Sequence, residues 1–157
     1  MQSACFTGHR KISGDIANLT ERLYDKIEEG ILDLGFTDFY VGGSTGFDEL
    51  AAQTVLKLRE IYPHIRLHLI LPCTNAEQTT KWTELQKIEF YRILGLADTV
   101  EYTSEHYYDG CMMVRNARLV ELADCCYCYW NTNRNRSGTA QTVKMAERKN
   151  IMIVNFY

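Results

Sequence analysis

Apolar residues recur along this chain in two alternating rhythms. Ala4 to Thr7 forms a short continuous apolar run, after which Ile16, Leu19, Leu23, Ile27, Ile31 and Leu34 return at three- and four-residue steps. That spacing is one face of a helix, which Gly35 closes. Phe39-Tyr40-Val41 predicts a second strand, and Phe47, Leu50, Ala51, Val55, Leu58 and Ile61 a second amphipathic helix. Leu67 to Leu71 reads as a third strand, Pro72 to Gln78 as a polar connection, and Leu85, Ile88, Tyr91 and Leu94 as the core stripe of a third helix. The pattern continues with a strand at Thr99 to Thr103, a helix striped by Met113, Ala117 and Val120, and a strongly apolar strand at Cys125 to Trp130. A helix at Thr139 to Lys149 and a strand at Ile151 to Phe156 close the chain.

Strands that alternate with helices need crossover connections, so their neighbours run parallel. Continuous apolar strands, as opposed to alternating ones, indicate burial on both faces. The expected fold is therefore α/β: a Rossmann-like, doubly wound, mostly parallel six-stranded sheet with helices on both faces, built as one domain over residues 1–157. A closed eightfold barrel is excluded, because it needs about 250 residues.

At 157 residues, with 46% hydrophobic and 24% charged residues, the chain is long enough to bury roughly 70% of its unfolded surface without metals or disulfides. No apolar run approaches the ~18 residues of a membrane span, and the opening residues lack a secretory pattern, so a cytoplasmic location is expected. The six cysteines are accordingly expected to be reduced. Cys125, Cys126 and Cys128 alternate across a strand and are not completed by further ligands at metal spacing; neither metal nor organic cofactor is implied. Seventeen basic against 20 acidic residues give a formal charge of −3, which disfavours nucleic acid as a partner, since that needs a broad basic face.

Chemistry in an open parallel sheet gathers beyond the carboxyl ends of the strands. The loop after the second strand, Gly42-Gly43-Ser44-Thr45-Gly46-Phe47-Asp48, can cradle an anion, with glycines admitting a ligand to the backbone and a helix N-terminus behind them. The same glycines also suit a plain tight turn. Ser137-Gly138-Thr139, before the last helix, repeats the theme, though Ser137 or Thr139 also reads as an ordinary cap. Gly8, His9 and Arg10 occupy the first post-strand loop; among four histidines, His9 alone sits at a suggestive place. Arg10 and Arg115 carry guanidinium forks suited to phosphate, Arg115 having an ion pair with Asp48, Glu49 or Glu121 as its structural alternative. Asp48 and Glu49 either favour a helix dipole or supply a carboxylate for ribose or acid–base chemistry. Arg134 and Arg136 read as solvated charges or phosphate partners, and Trp130 as the aromatic best placed to stack on a base. Cys73 at the same edge has no activating base in view, His68 being inside a strand.

Together, Cys5-Phe6-Thr7-Gly8-His9-Arg10, the Gly42 to Asp48 loop, Leu71-Pro72-Cys73 with Trp82, Arg115-Asn116 and Ser137-Gly138-Thr139 resemble the YpsA-like branch of the SLOG superfamily. The resemblance implies kinship with the LOG phosphoribohydrolases and with the core of the DNA-uptake protein DprA. It also implies a nucleotide or ADP-ribose-like small molecule as ligand, with Asn116 among its contacts. LOG-like hydrolysis of nucleoside 5′-monophosphates, and DprA-like single-stranded DNA binding, are its other implications; a homodimer is suggested by related folds. Arg115 is similar in position to the arginine of the LOG Arg-Lys-x-x-Met segment, here without the lysine. Thr142 stands where the LOG signature has its catalytic glutamate, so a hydrolase would need Asp48 or Glu49 beside Arg115.

Overall fold

The computed structural model describes residues 2–157. In chain order the elements are β1 (Ser3–Gly8), α1 (Ile16–Asp33), β2 (Asp38–Val41), α2 (Phe47–Ile61), β3 (Arg66–Leu71) and α3 (Asn75–Gln78). They continue with α4 (Glu84–Leu96), β4 (Thr99–Tyr102), α5 (Cys111–Leu122), β5 (Cys125–Tyr129), α6 (Gly138–Lys149) and β6 (Met152–Asn155). All six strands join one sheet in the order β4-β3-β2-β1-β5-β6, and each of its five pairings is parallel. The chain steps outward from β1 to β4, then returns to the far side of β1, so the order reverses between β1 and β5.

Alternate strand residues divide between two cores. Ala4, Phe6, Tyr127 and Tyr129 pack with Leu19, Phe47, Val55 and Phe90 of α1, α2 and α4. Cys5, Cys126 and Cys128 point the other way, against Leu119 and Val120 of α5 and Val143 and Ala146 of α6. Burial on both faces explains why β5 reads as an unbroken apolar run: its five residues are all buried. The caps follow local chemistry. Asp15 accepts from the Asn18 amide at 3.1 Å to start α1; Thr83 and Gln86 form a reciprocal capping box at α4.

Two differences from the sequence reading stand out. A one-turn helix, α3, forms inside the connection Pro72 to Gln78, because the Gln78 and Thr79 amides bond back to the Thr74 and Asn75 carbonyls. The stripe expected to bury α4 faces outward: Leu85 is 80% exposed, Ile88 63% and Tyr91 47%. Phe90 and Ile93 enter the core instead, with Leu94 partly buried against it. No described helix is long and apolar enough to cross a membrane.

Candidate functional site

Over the carboxyl ends of β1, β2 and β5 lies a cavity of about 600 Å³. Three stretches of chain wall it. The β1–α1 loop contributes Gly8, His9, Arg10 and Lys11; the β2–α2 loop contributes Ser44 and Asp48; the start of α6 contributes Ser137, Gly138 and Thr139. Met112, Arg115 and Asn116 of α5 close the side, and Arg134 overhangs from the β5–α6 loop. Two turns about ninety residues apart in sequence thus share one cavity at the point where strand order reverses.

Charge is concentrated here. Arg10, Lys11, Arg115 and Arg134 line the cavity against a single carboxylate, Asp48, in a chain whose formal charge is −3. Arg115 is 4% exposed. Its Nε donates to Asn116 Oδ1 at 2.8 Å, one Nη donates to the Gly42 carbonyl, and the other reaches Met112 Sδ at 3.7 Å. Among the described residues no carboxylate comes within ion-pair distance of it. Glu121, one of the partners the sequence allowed, pairs with Arg118 instead. Of five guanidinium N–H groups, three are used and two remain. Burial lowers the Arg115 pKa, with the nearby Asp48 charge opposing that shift.

Asp48 accepts from the Ser44 amide at 3.2 Å. Its pKa is pushed up to about 6, chiefly by burial, while Arg115, the Ser44 amide and Arg10 pull it down. Gly42 sits where a Cβ would come 2.7 Å from the Arg115 guanidinium and 3.0 Å from Asp48 Oδ2; no larger residue leaves that pair in place. Gly46 has φ 77°, and a Cβ there would run into the Arg10 backbone carbonyl. Its role is to let the β1–α1 loop lie directly on the N-terminus of α2, where Phe47 donates its amide to the His9 carbonyl at 3.2 Å.

The remaining sequence candidates fall in different places. Gly43 and Glu49 line a separate narrow cleft of about 20 Å³ beside Trp82 and Phe90, which shares Ser44 and Asp48 with the large cavity; it has room for one or two waters. Ser137 caps α6: its hydroxyl accepts from the Ala140 amide at 3.0 Å and donates to the Arg134 carbonyl at 2.9 Å, leaving no O–H for a ligand. The Gly138 and Thr139 amides in the first turn have no intrahelical acceptor and border the cavity. Trp130 is outside the lining, its indole N–H given to the Arg134 carbonyl at 3.2 Å. Thr142 is fully buried and bonded back to Gly138 O at 2.9 Å, so α6 brings no carboxylate to the cavity. His68 joins Asp38 and Thr99 at 2.7 and 2.6 Å near the opposite strand ends, away from Cys73. Lys11 and Met112 were not singled out from sequence; Lys11's place beside Arg10 in a post-strand loop was the available signal, and Met112 had none. No cluster of three or more metal-ligating side chains occurs among the described residues.

A parallel sheet of this order, with a cavity at its switch point, defines a Rossmann-like α/β protein. Comparison with known proteins narrows that class: the family model described as the YspA SLOG family (YpsA) matches residues 7–156, and the chain belongs to that family. Similar proteins include UPF0398 protein BH1768 of Halalkalibacterium halodurans, 30% identical over 118 residues, covering 74% of this chain and 59% of the relative. A UPF0398 protein of Brevibacillus brevis is 34% identical over 70 residues, 45% of this chain and 36% of its own length. The chain thus spans less than two thirds of the length of these relatives. Among solved structures, DNA processing protein A of Helicobacter pylori, described with a single-stranded DNA binding mode, superposes with TM-score 0.63 at 15% identity over 98% of this chain and 64% of its own. TM1055, a structural genomics target, gives 0.58 at 15% identity over 98% and 72%. Both similarities concern the fold.

Proposed function

We propose that this chain binds a small phosphate-bearing ligand, a nucleotide or an ADP-ribose-like derivative, in the cavity between the β1–α1 loop, the β2–α2 loop and the start of α6. The observation that carries this reading is Arg115: a buried guanidinium with two unused N–H groups and no carboxylate partner among the described residues. An unpaired buried charge is costly, and a phosphate supplies both the charge and the acceptors it lacks. Arg10, Lys11 and Arg134 add to the field, and the α6 amides at Gly138 and Thr139 offer an anion seat. The cavity volume matches that of small-ligand sites.

Calorimetric titration with AMP, ADP and ADP-ribose tests the reading. At least one should bind at micromolar strength, weaken as salt rises, and lose tenfold or more in Arg115→Gln and Arg10→Ala proteins that remain folded. No heat from any of the three, or unchanged affinity in both variants, overturns it.

A second reading, hydrolysis of a nucleotide N-glycosidic bond, is favoured by one specific feature. Asp48 is the cavity's carboxylate, and its pKa of about 6 suits acid–base work near neutrality. Arg115 would orient the phosphate; Glu49, in the side cleft, is the weaker choice. Chromatography of incubated nucleoside monophosphates should then show free base, absent with Asp48→Asn. Single-stranded DNA is less well suited, because the cations line a cavity and not a surface stripe.

A further inference from the structure

We infer that His9 is the positioning residue of this cavity, a neutral imidazole whose Nε2 replaces the residue's own carbonyl in the sheet ladder and so ties the β5–α6 loop to β1 and α2. In a parallel ladder a residue's N–H and C=O bond to two positions, one residue apart on either side of its partner. The β1–β5 register runs from Ala4↔Cys125 to Gly8↔Tyr129. His9 begins the next rung normally, its amide donating to the Tyr129 carbonyl at 3.2 Å. The Asn131 amide should then bond to the His9 carbonyl. That carbonyl has turned away to accept the Phe47 amide at the start of α2. Asn131 N–H instead donates to His9 Nε2 at 2.9 Å.

One residue therefore joins three walls of the cavity, and its protonation state is fixed by logic. A backbone amide only donates, so Nε2 must present its lone pair and the ring proton must sit on Nδ1. An imidazolium has no lone pair and breaks the contact. What hangs on it is the turn that holds Arg134: Arg134 N–H bonds to Asn131 O at 2.8 Å, and the Arg134 carbonyl accepts from Trp130 and Ser137. The charged groups lining the same cavity are Arg10 and Lys11 from the histidine's own loop, Asp48 from α2, Arg115 from α5 and Arg134 from the β5–α6 loop. Tyr129 and Tyr157 pack edgewise on the ring, at 6.2 and 6.4 Å between centroids. Burial, followed by the Arg134 charge, lowers the His9 pKa, so the contact is intact at neutral pH and lost on acidification below about 6.5.

The test compares wild type, His9→Gln, whose amide oxygen can also accept, and His9→Leu, which cannot. In the ligand-free protein at pH 7.5, imidazole 15N spectra should show the proton on Nδ1. Protection of the Asn131 to Ser137 amides, normalised to intrinsic exchange rates, should fall at least tenfold in His9→Leu and be restored in His9→Gln. Titrated downward from pH 7.5, wild type should lose that protection in a one-proton step that His9→Gln does not show. The ADP-ribose arm rests on the proposed anion site: the affinity ratio between pH 7.5 and the acid side of that step should be at least fivefold larger for wild type than for His9→Gln, a comparison in which Asp48 titration cancels. A proton on Nε2, or equal loop protection in wild type and His9→Leu, overturns the inference even if nucleotides bind. Failure of ADP-ribose to bind, with the loop results as expected, counts against the ligand and not against His9.

Discussion

Asp48 shows how one buried side chain sets a measurable pH dependence. Its folded pKa of about 6 lies above the ordinary 3.8, so between those values the folded state holds more protons than the unfolded chain. Its contribution to stability is therefore full below pH 4 and is lost as pH rises through about 6, by about 3 kcal/mol if the whole shift is realised. Asp48→Asn removes that slope. Melting temperatures of the two proteins should diverge from pH 4 to pH 7, the variant gaining relative to wild type; parallel curves would contradict the assignment. Gly46 makes a steric prediction at the same scale. Alanine there meets a left-handed φ of 77° and the Arg10 carbonyl together, so Gly46→Ala should cost about 3 kcal/mol or more in urea unfolding. Its glycine is legible as a turn former; that it admits the Arg10 carbonyl of the β1–α1 loop depends on where Arg10 lies, which spacing does not encode.

Helix α4 carries apolar residues on more than one side, so its pattern alone leaves the buried side open. Leu85, Ile88 and Tyr91 keep helical spacing, and so do Phe90, Ile93 and Leu94. Periodicity identifies a helix but does not choose between two such series; the packing of α4 against α2 does. Phe90→Ala should cost about 3–4 kcal/mol, because the ring is buried against Trp82 and the α2 side of the core. Leu85→Ser should stay within about 0.5 kcal/mol, as expected of an exposed position. Equal losses in denaturant titration would reverse the orientation described here. Helix α1, with one apolar face, turns Leu19, Leu23, Ile27 and Ile31 inward as its spacing predicts, while Ile16 and Leu34 at its two ends stay exposed. The single turn of α3 is not legible in the sequence, since three polar residues and one alanine carry no period.

For the molecule as a whole, the sheet's two covered faces determine the behaviour of the cysteines. All six are free and buried, and burial pushes the Cys125 thiol up to about 12. Thiolates are the reactive form, so an aromatic disulfide reagent at pH 8 should leave the native protein essentially unlabelled and modify six thiols in denaturant. Rapid native labelling of even one would show that a sheet face opens. The cavity is also a property of this scale. Ser44 and Ser137 meet only because the chain turns back across β1 to place β5 beside it.

Alternation of apolar runs and helical stripes determined the α/β class and the order of strands and helices, because burial on both faces of a parallel sheet leaves its mark on each strand separately. The loop motifs marked the carboxyl edge for the same local reason: glycine and cap residues act through their own backbone. Which side of α4 faces inward, that Arg115 lacks a carboxylate partner, and that His9 gives its carbonyl to α2 and its imidazole to Asn131 were settled by tertiary structure. Each depends on groups brought together across dozens of residues, and a contact of that kind has no period or spacing in the chain.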